Sequence, residues 1–389
     1  MTQRNKEKGM KNIPIMYLLS LFKGLIFFLP ILALYFTENL FSLTNVALIF
    51  SIESIALVVF EIPTGTLGDF LGRKKTLILS GFVALAGLFF LYFGETMLPF
   101  SIYAVLSALA ISLNSGTDNA LIYDTLQNSK KQKRYNEVVG KYFSIWPFGA
   151  AIGAIAGGYL AKISLEFPIL ITFLPFAIAA ILPFFLVEPL YEKPLKKEMF
   201  SQIFSSLNAI LKNKQLLIIF LGLFLFLGFS SVVSMNPVLF ESKSIPIVYF
   251  GYLFAAIQVA ISAGSYFSHK LSKKVGDKKT IIISTLFFPI VLISALFFSE
   301  ILFGILFICA FFFFSLKNPS ISNLINLEVK SNQRATIISV SSLFSHLGRA
   351  IILPLFGYIA GIFTIEYAFF FGGIMLISVP ILFLWLKNK

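Results

Sequence analysis

The chain carries one cysteine, Cys309, in 389 residues. A single thiol forms no intramolecular disulfide and builds no Cys-based metal site, so it leaves the redox compartment open. Histidine is nearly as scarce: His269 and His346 are too few and too far apart to point to a metal centre. Charge is also short. Asp, Glu, Lys and Arg make up 13% of the residues, where a soluble domain keeps about a quarter. No Gly-Lys-Ser/Thr phosphate loop is present, which argues against nucleotide-driven chemistry. No grouping of nucleophile, base or metal ligands marks an enzyme.

What fills the chain is apolar. Hydrophobic residues account for 58%, with 47 Phe, and the mean hydropathy is +0.89. A membrane span needs roughly 20 such residues. The runs at 12–36, 44–68, 77–95, 99–127, 139–162, 167–189, 215–238, 246–270, 279–298, 301–327, 334–361 and 365–386 predict twelve spans and leave no room for a soluble domain. The first run follows a basic head but is span-length and has no small-residue cleavage site, so it reads as a retained span.

The net charge of +13 is a topology signal. With both termini cytoplasmic, Arg4, Lys6, Lys8 and Lys11, then Arg73 to Lys75, Lys130, Lys131, Lys133 and Arg134 fall inside. So do the lysines of 193–214 and of 270–279, and only Lys162 and Lys243 fall outside. This is the positive-inside pattern of a multi-pass plasma (inner) membrane protein. Nucleic acid is not an expected partner, because no aromatic-basic platform accompanies the charge.

The halves repeat at a shift of 204. Gly24 recurs as Gly228, Phe36 as Phe240, Gly72 as Gly276 within a basic turn, Asn119 as Asn323, Asp124 as Glu328, and Gly153 and Gly157 as Gly357 and Gly361. The fold class expected is an all-α membrane protein of twelve transmembrane helices in two pseudo-symmetric six-helix bundles. Residues 1–189 and 215–389 form the bundles, and 190–214 is a cytoplasmic linker. In such molecules the substrate site sits near the midplane between repeats.

Two motifs carry a resemblance. Gly65-Thr66-Leu67-Gly68-Asp69-Phe70-Leu71-Gly72-Arg73-Lys74-Lys75 closes span 2. It resembles the signature of the major facilitator superfamily, which implies that fold, rocking alternation of two bundles and no cofactor, the proton gradient being the energy source. By that resemblance Gly65, Asp69, Gly72, Arg73 and Lys74 form a conformational gate. Asp69 would latch onto the opening of span 11 near Asn332 and Gln333. The second copy, Gly276-Asp277-Lys278-Lys279, has Lys273 where Asp69 stands. In span 5, Gly149, Gly153, Gly157 and Gly158 resemble the antiporter motif of drug:proton exporters, with Ala154 in place of its proline. A stripe of small residues also serves plain helix packing. The span 4 arginine of those exporters is missing: Ser112 stands there, before Asn114-Ser115-Gly116-Thr117-Asp118.

Charges at membrane depth are the remaining signal, each costing about 2.5–3.5 kcal/mol on insertion scales. Lys23, Glu53, Glu61 and Asp118 lie in spans 1, 2 and 4, and Lys317 and Arg349 in spans 10 and 11. Glu61, Asp118, Lys23 and Glu53 are candidates for proton coupling, with a static ion pair that orders helices as the other reading. Asn114, Lys317, Asn318, Ser322, Ser342, His346 and Arg349 are candidates for the substrate cavity. Lys317 and Arg349 would favour an anionic substrate or neutralise Asp118. Asp124 is expected to pair with Lys141 or Arg134, Glu38 to be solvated, and the Phe311–Phe314 and Phe369–Phe371 runs to serve packing and lipid. The function implied is proton-coupled export of a small amphipathic molecule, as a multidrug efflux antiporter does, by a monomer in the lipid bilayer. The alternative is a proton symporter or exchanger for an anionic metabolite.

Overall fold

The computed structural model describes residues 10–190, 210–329 and 334–387. Twelve helices among them are long and apolar enough to cross a membrane: Asn12–Leu40, Leu43–Glu61, Arg73–Tyr92, Met97–Asn128, Gln132–Leu160, Glu166–Phe185, Lys214–Ser242, Val248–Val275, Asp277–Leu296, Ile301–Glu328, Val340–Ile362 and Ile365–Phe383. We number them as spans 1 to 12. The runs read from the sequence correspond to these spans one for one.

Spans 1, 4 and 7 are interrupted within their length, although hydropathy reads them as unbroken. Span 1 runs as Asn12–Gly24, an irregular turn, a 3₁₀ turn Leu29–Ile31 and a second helix Leu32–Leu40. Span 7 repeats the design 204 residues on. Helix Lys214–Phe229 passes through a 3₁₀ segment, Ser230–Met235, into Asn236–Ser242. Pro30 and Pro237 each lie in the first turn after a break, where a missing N–H costs nothing. Span 4 breaks between Asn114 and Thr117, and Gly116 sits at φ +76° there. A side chain at that φ is strained, so the break requires glycine.

The chain divides into two compact units. One comprises Met1–Tyr35, Ile55–Leu195 and Ile247–Ala255; the other comprises Phe36–Ser54, Lys196–Pro246 and Ala256–Lys389. The units differ from the sequence halves in two short exchanged segments, and close helix crossings account for both. In the second unit a Cβ on Gly357 would stand 2.7 Å from the Leu43 carbonyl and 3.0 Å from Thr44 Cα. In the first, a Cβ on Gly251 would stand 2.8 Å from Ile155 Cα. Contacts this close exclude any side chain and let two backbones pack directly.

The core of the first unit gathers Ile13, Met16, Leu19, Leu77, Leu121, Ile122, Leu126, Val138 and Leu186. Asn12, 1% exposed, pins one end of it. Its amide donates to Thr125 Oγ1 at 2.9 Å and to the Val187 carbonyl at 2.8 Å, and accepts from Val187 N at 2.8 Å. One side chain thus ties spans 1 and 4 to the segment following span 6.

The second unit is built on rings. Phe226, Phe288 and Phe314 pack at centroid distances of 5.1–5.7 Å, and Phe303, Phe307 and Phe311 continue the column. Phe311 and Phe369 are therefore interior residues, 4% and 0% exposed, while Phe371 is 40% exposed.

Candidate functional site

The two breaks in the first unit meet. Lys23, one residue before the end of the first helix of span 1, donates from Nζ to Asn114 Oδ1 at the end of the first helix of span 4. Asn114 also interacts with the Tyr142 hydroxyl. That hydroxyl donates to Asp118 Oδ2 at 2.9 Å, and Asn119 N donates to Oδ1 at 2.7 Å. The result is a polar relay, Lys23–Asn114–Tyr142–Asp118, inside one unit. Asp118 is 6% exposed and Tyr142 4%. The carboxylate lies in the first turn of the helix Thr117–Asn128, whose free N–H groups and dipole favour a negative charge. Ser115 and Gly116, in the gap itself, are exposed.

Lys23 and Asp118 thus share a network without forming a direct ion pair. Tyr142 is the member that sequence reading missed. Only its place two turns into the span 5 helix Tyr135–Leu160, opposite a charged span 4, could have signalled it. The span 4 break was signalled: Asn-Ser-Gly is a turn composition. Glu61 is half-buried, and no described side chain pairs with it.

The span 5 glycines face span 1 at its break. A Cβ on Gly149 would stand 2.8 Å from the Leu21 carbonyl, and one on Gly153 would stand 2.9 Å from Ile26 N. Gly157 lies against the Phe27 carbonyl, and Gly158 against the Val248 carbonyl of span 8. Gly24 in turn packs on Gly149 and Ala150. The stripe is what allows the irregular turn of span 1 to sit on span 5.

The signature loop is only partly visible. The side chains of 65–70 and residues 330–333 lie outside the described residues, so the Asp69 latch is not placed. Gly72 is at φ +101°, and its repeat mate Gly276 is at φ +85°. Both open a helix at the same point of the duplication. Arg73 N and Lys74 N donate to the two oxygens of Glu188, at 2.7 and 2.9 Å, so a carboxylate after span 6 caps span 3. Nothing in the sequence signals this partner 115 residues away. Asp124 pairs with Arg73 at 3.6 Å rather than with Lys141 or Arg134. Those two bind Glu137 at 3.0 and 3.1 Å, being its neighbours on one helix face. In the second copy, Asp277 accepts from Ser272 Oγ and from Asn323 Nδ2, the latter at 2.7 Å.

The second unit holds the other charges. Lys317, 2% exposed, is enclosed by the faces of Phe226 and Phe314, with Nζ 3.9 and 4.1 Å from the ring centres, and it donates to the Phe314 carbonyl at 2.7 Å. Cation–π contact and a carbonyl replace a carboxylate partner. Ser284 of span 9 inserts beside it, accepting from Lys317 N at 3.1 Å and donating to the Phe313 carbonyl. That insertion opens the span 10 ladder one turn before Pro319. Asn318 and Ser322 are exposed, and Ser342 and His346 are half-buried. Arg349 meets Glu53 at 3.8 Å.

Broken helices and polar networks at membrane depth are features that transporters use. Comparison with known proteins gives the family. The model of the Major Facilitator Superfamily matches residues 15–351 and 235–389, and the chain belongs to that family. Its members are secondary transporters rather than enzymes and need no cofactor. The chain is 22% identical to an uncharacterized MFS-type transporter, YxaM, of Bacillus subtilis (strain 168), over 95% of this chain and 94% of that one. Among solved structures, the nucleoside transporter NupG superposes with a TM-score of 0.78 at 17% identity, covering 97% of this chain and 99% of that one. A bacterial homolog of the human lysosomal transporter Spinster gives 0.74 at 14%, covering 99% and 96%. The E. coli fucose:proton symporter FucP gives 0.61 at 14%, covering 98% and 100%. At these identities the likeness is one of fold.

Proposed function

We propose that the protein is a proton-coupled secondary transporter of a small organic solute, and that Asp118 carries the proton. The observation that supports this most is the Lys23–Asn114–Tyr142–Asp118 relay. It places a buried carboxylate beside a helix break whose gap is open, with a lysine three bonds away to hold or release charge. Protonating Asp118 removes one charge from the relay. Glu61, half-buried and without a described partner, is the second acid of the pathway.

Symport is the reading we favour. The span 5 stripe that resembles the antiporter motif is accounted for by packing on span 1, so it supplies no separate support for export. The neighbouring fold of a fucose:proton symporter agrees with proton-coupled uptake. Export of an amphipathic molecule is the second reading, and it rests on the resemblance of those residues to the antiporter motif alone. Both place the protein as a monomer in the plasma membrane with cytoplasmic termini.

Reconstitution in proteoliposomes under an imposed pH gradient tests the proposal. Solute accumulation on the alkaline side means symport, and movement against the proton flow means export. Asp118→Asn is expected to abolish gradient-driven accumulation while leaving exchange at equal pH intact. Wild-type accumulation in that variant would remove Asp118 from coupling.

A further inference from the structure

Arg349 is a charge at membrane depth whose bonding capacity is not filled among the described residues. It sits in the helix Arg334–Ile362, nine residues into the membrane-crossing part Val340–Ile362, where an arginine is costly. A guanidinium offers five N–H donors in a planar fork. Here Nη2 stands 3.8 Å from Glu53 Oε2, beyond hydrogen-bonding distance, and Cζ stands 5.5 Å from the Phe50 ring centre. Nε is buried and has no hydrogen-bond partner among the described residues. The side chain is 26% exposed and that of Glu53 19%, so both reach open space. His346 and Ser342 lie one and two turns before Arg349, on the same face, and both are half-buried. All five residues belong to the second unit.

A structural ion pair in low dielectric closes to a bidentate, hydrogen-bonded contact, because a loose one recovers little of the desolvation cost. This pair has not closed. Glu53 neutralises the arginine without filling its fork, and the free edge matches the two parallel acceptors of a carboxylate or phosphate.

We propose that Arg349 is the binding group for an oxyanion on the transported solute, and that Glu53 is its stand-in counter-charge, displaced when the solute binds. The inference rests on the transporter reading and narrows its substrate class to small organic anions, with His346 and Ser342 as neighbouring polar contacts. It is independent of Asp118, since binding is measured without a gradient.

The test is equilibrium binding to the full-length protein in detergent, read by thermal shift and calorimetry with two matched pairs of probes. Lactate is compared with propane-1,2-diol, and glycerol 3-phosphate with glycerol. At least one anion is expected to stabilise the protein where its neutral partner does not, and which anion does so distinguishes carboxylate from phosphate. Arg349→Gln should weaken that binding about ten-fold or more. Arg349→Lys, which keeps the charge but loses the fork, should recover only part of it. Glu53→Gln should tighten binding by removing the competitor. Stabilisation by neither anion, equal effects of charged and neutral probes, or weakening by Glu53→Gln overturns the proposal. The Glu53 variant decides the matter even if Arg349→Gln does not fold.

Discussion

Asn12 and Tyr142 show how single polar groups hold apolar helices together. Removing Asn12 as Asn12→Leu strands the Val187 N–H and carbonyl and the Thr125 hydroxyl. Each buried unsatisfied group costs about 1–3 kcal/mol. A loss of at least about 2 kcal/mol is expected, seen as a clear drop in melting temperature in detergent; an unchanged melt would mean the three bonds contribute nothing. Tyr142→Phe deletes one hydroxyl, whose bond to a charged acceptor contributes about 1.5–3 kcal/mol. Uptake driven by a pH gradient should fall more in that variant than in Phe143→Leu, an exposed neighbour on the same helix. Equal losses would detach Tyr142 from the relay. At this scale the sequence was a partial guide. Lys23, Asp118 and Arg349 were legible because a charge in an apolar run stands out. Tyr142, Glu188 and Ser284 were not, because a tyrosine, a loop acid or a serine is unremarkable until a distant partner is brought to it.

Helices here are defined as much by where they stop as by where they run. Periodicity and length predicted all twelve spans, yet gave no warning that spans 1 and 7 break. Leu-Ile-Phe-Phe-Leu-Pro and Ser-Ser-Val-Val-Ser-Met are apolar enough to read as unbroken membrane helix. Tertiary packing decides the matter: Phe27 N finds Thr172 Oγ1 at 3.2 Å, so the irregular turn keeps its hydrogen bond in a setting without water. The glycine stripe of span 5 is the complement of that turn, and the helix contains its own control. A Cβ at Gly157 runs into the Phe27 carbonyl, whereas one at Gly140 meets nothing within 4 Å. Alanine improves helix propensity by about 0.8–1.0 kcal/mol over glycine in an open site. Gly140→Ala should therefore raise the melting temperature slightly or leave it unchanged, and Gly157→Ala should lower it by several degrees. Matching behaviour of the two would show that spans 1 and 5 do not rely on close approach.

The whole molecule is one six-helix design used twice and then specialised. Gly72 and Gly276 keep the same left-handed backbone 204 residues apart, as spans 1 and 7 keep the same broken outline, because those features are set by geometry common to both copies. The charges differ between the copies. The first copy carries an acid in a relay with a lysine; the second encloses its lysine in rings and presents an arginine. Nothing in a hydropathy profile distinguishes these uses, which is why the fold was readable from sequence and the division of labour was not. The orientation of this asymmetric molecule follows from its basic loops, because positive residues resist translocation. Lys131, between spans 4 and 5, should be cytoplasmic, and Lys162 and Lys243, which follow spans 5 and 7, external. In a Cys309→Ser background, Lys162→Cys and Lys243→Cys should react with an impermeant maleimide added to intact cells, and Lys131→Cys only after the membrane is opened. The reverse pattern would put both termini outside and overturn the reading of the basic loops as cytoplasmic.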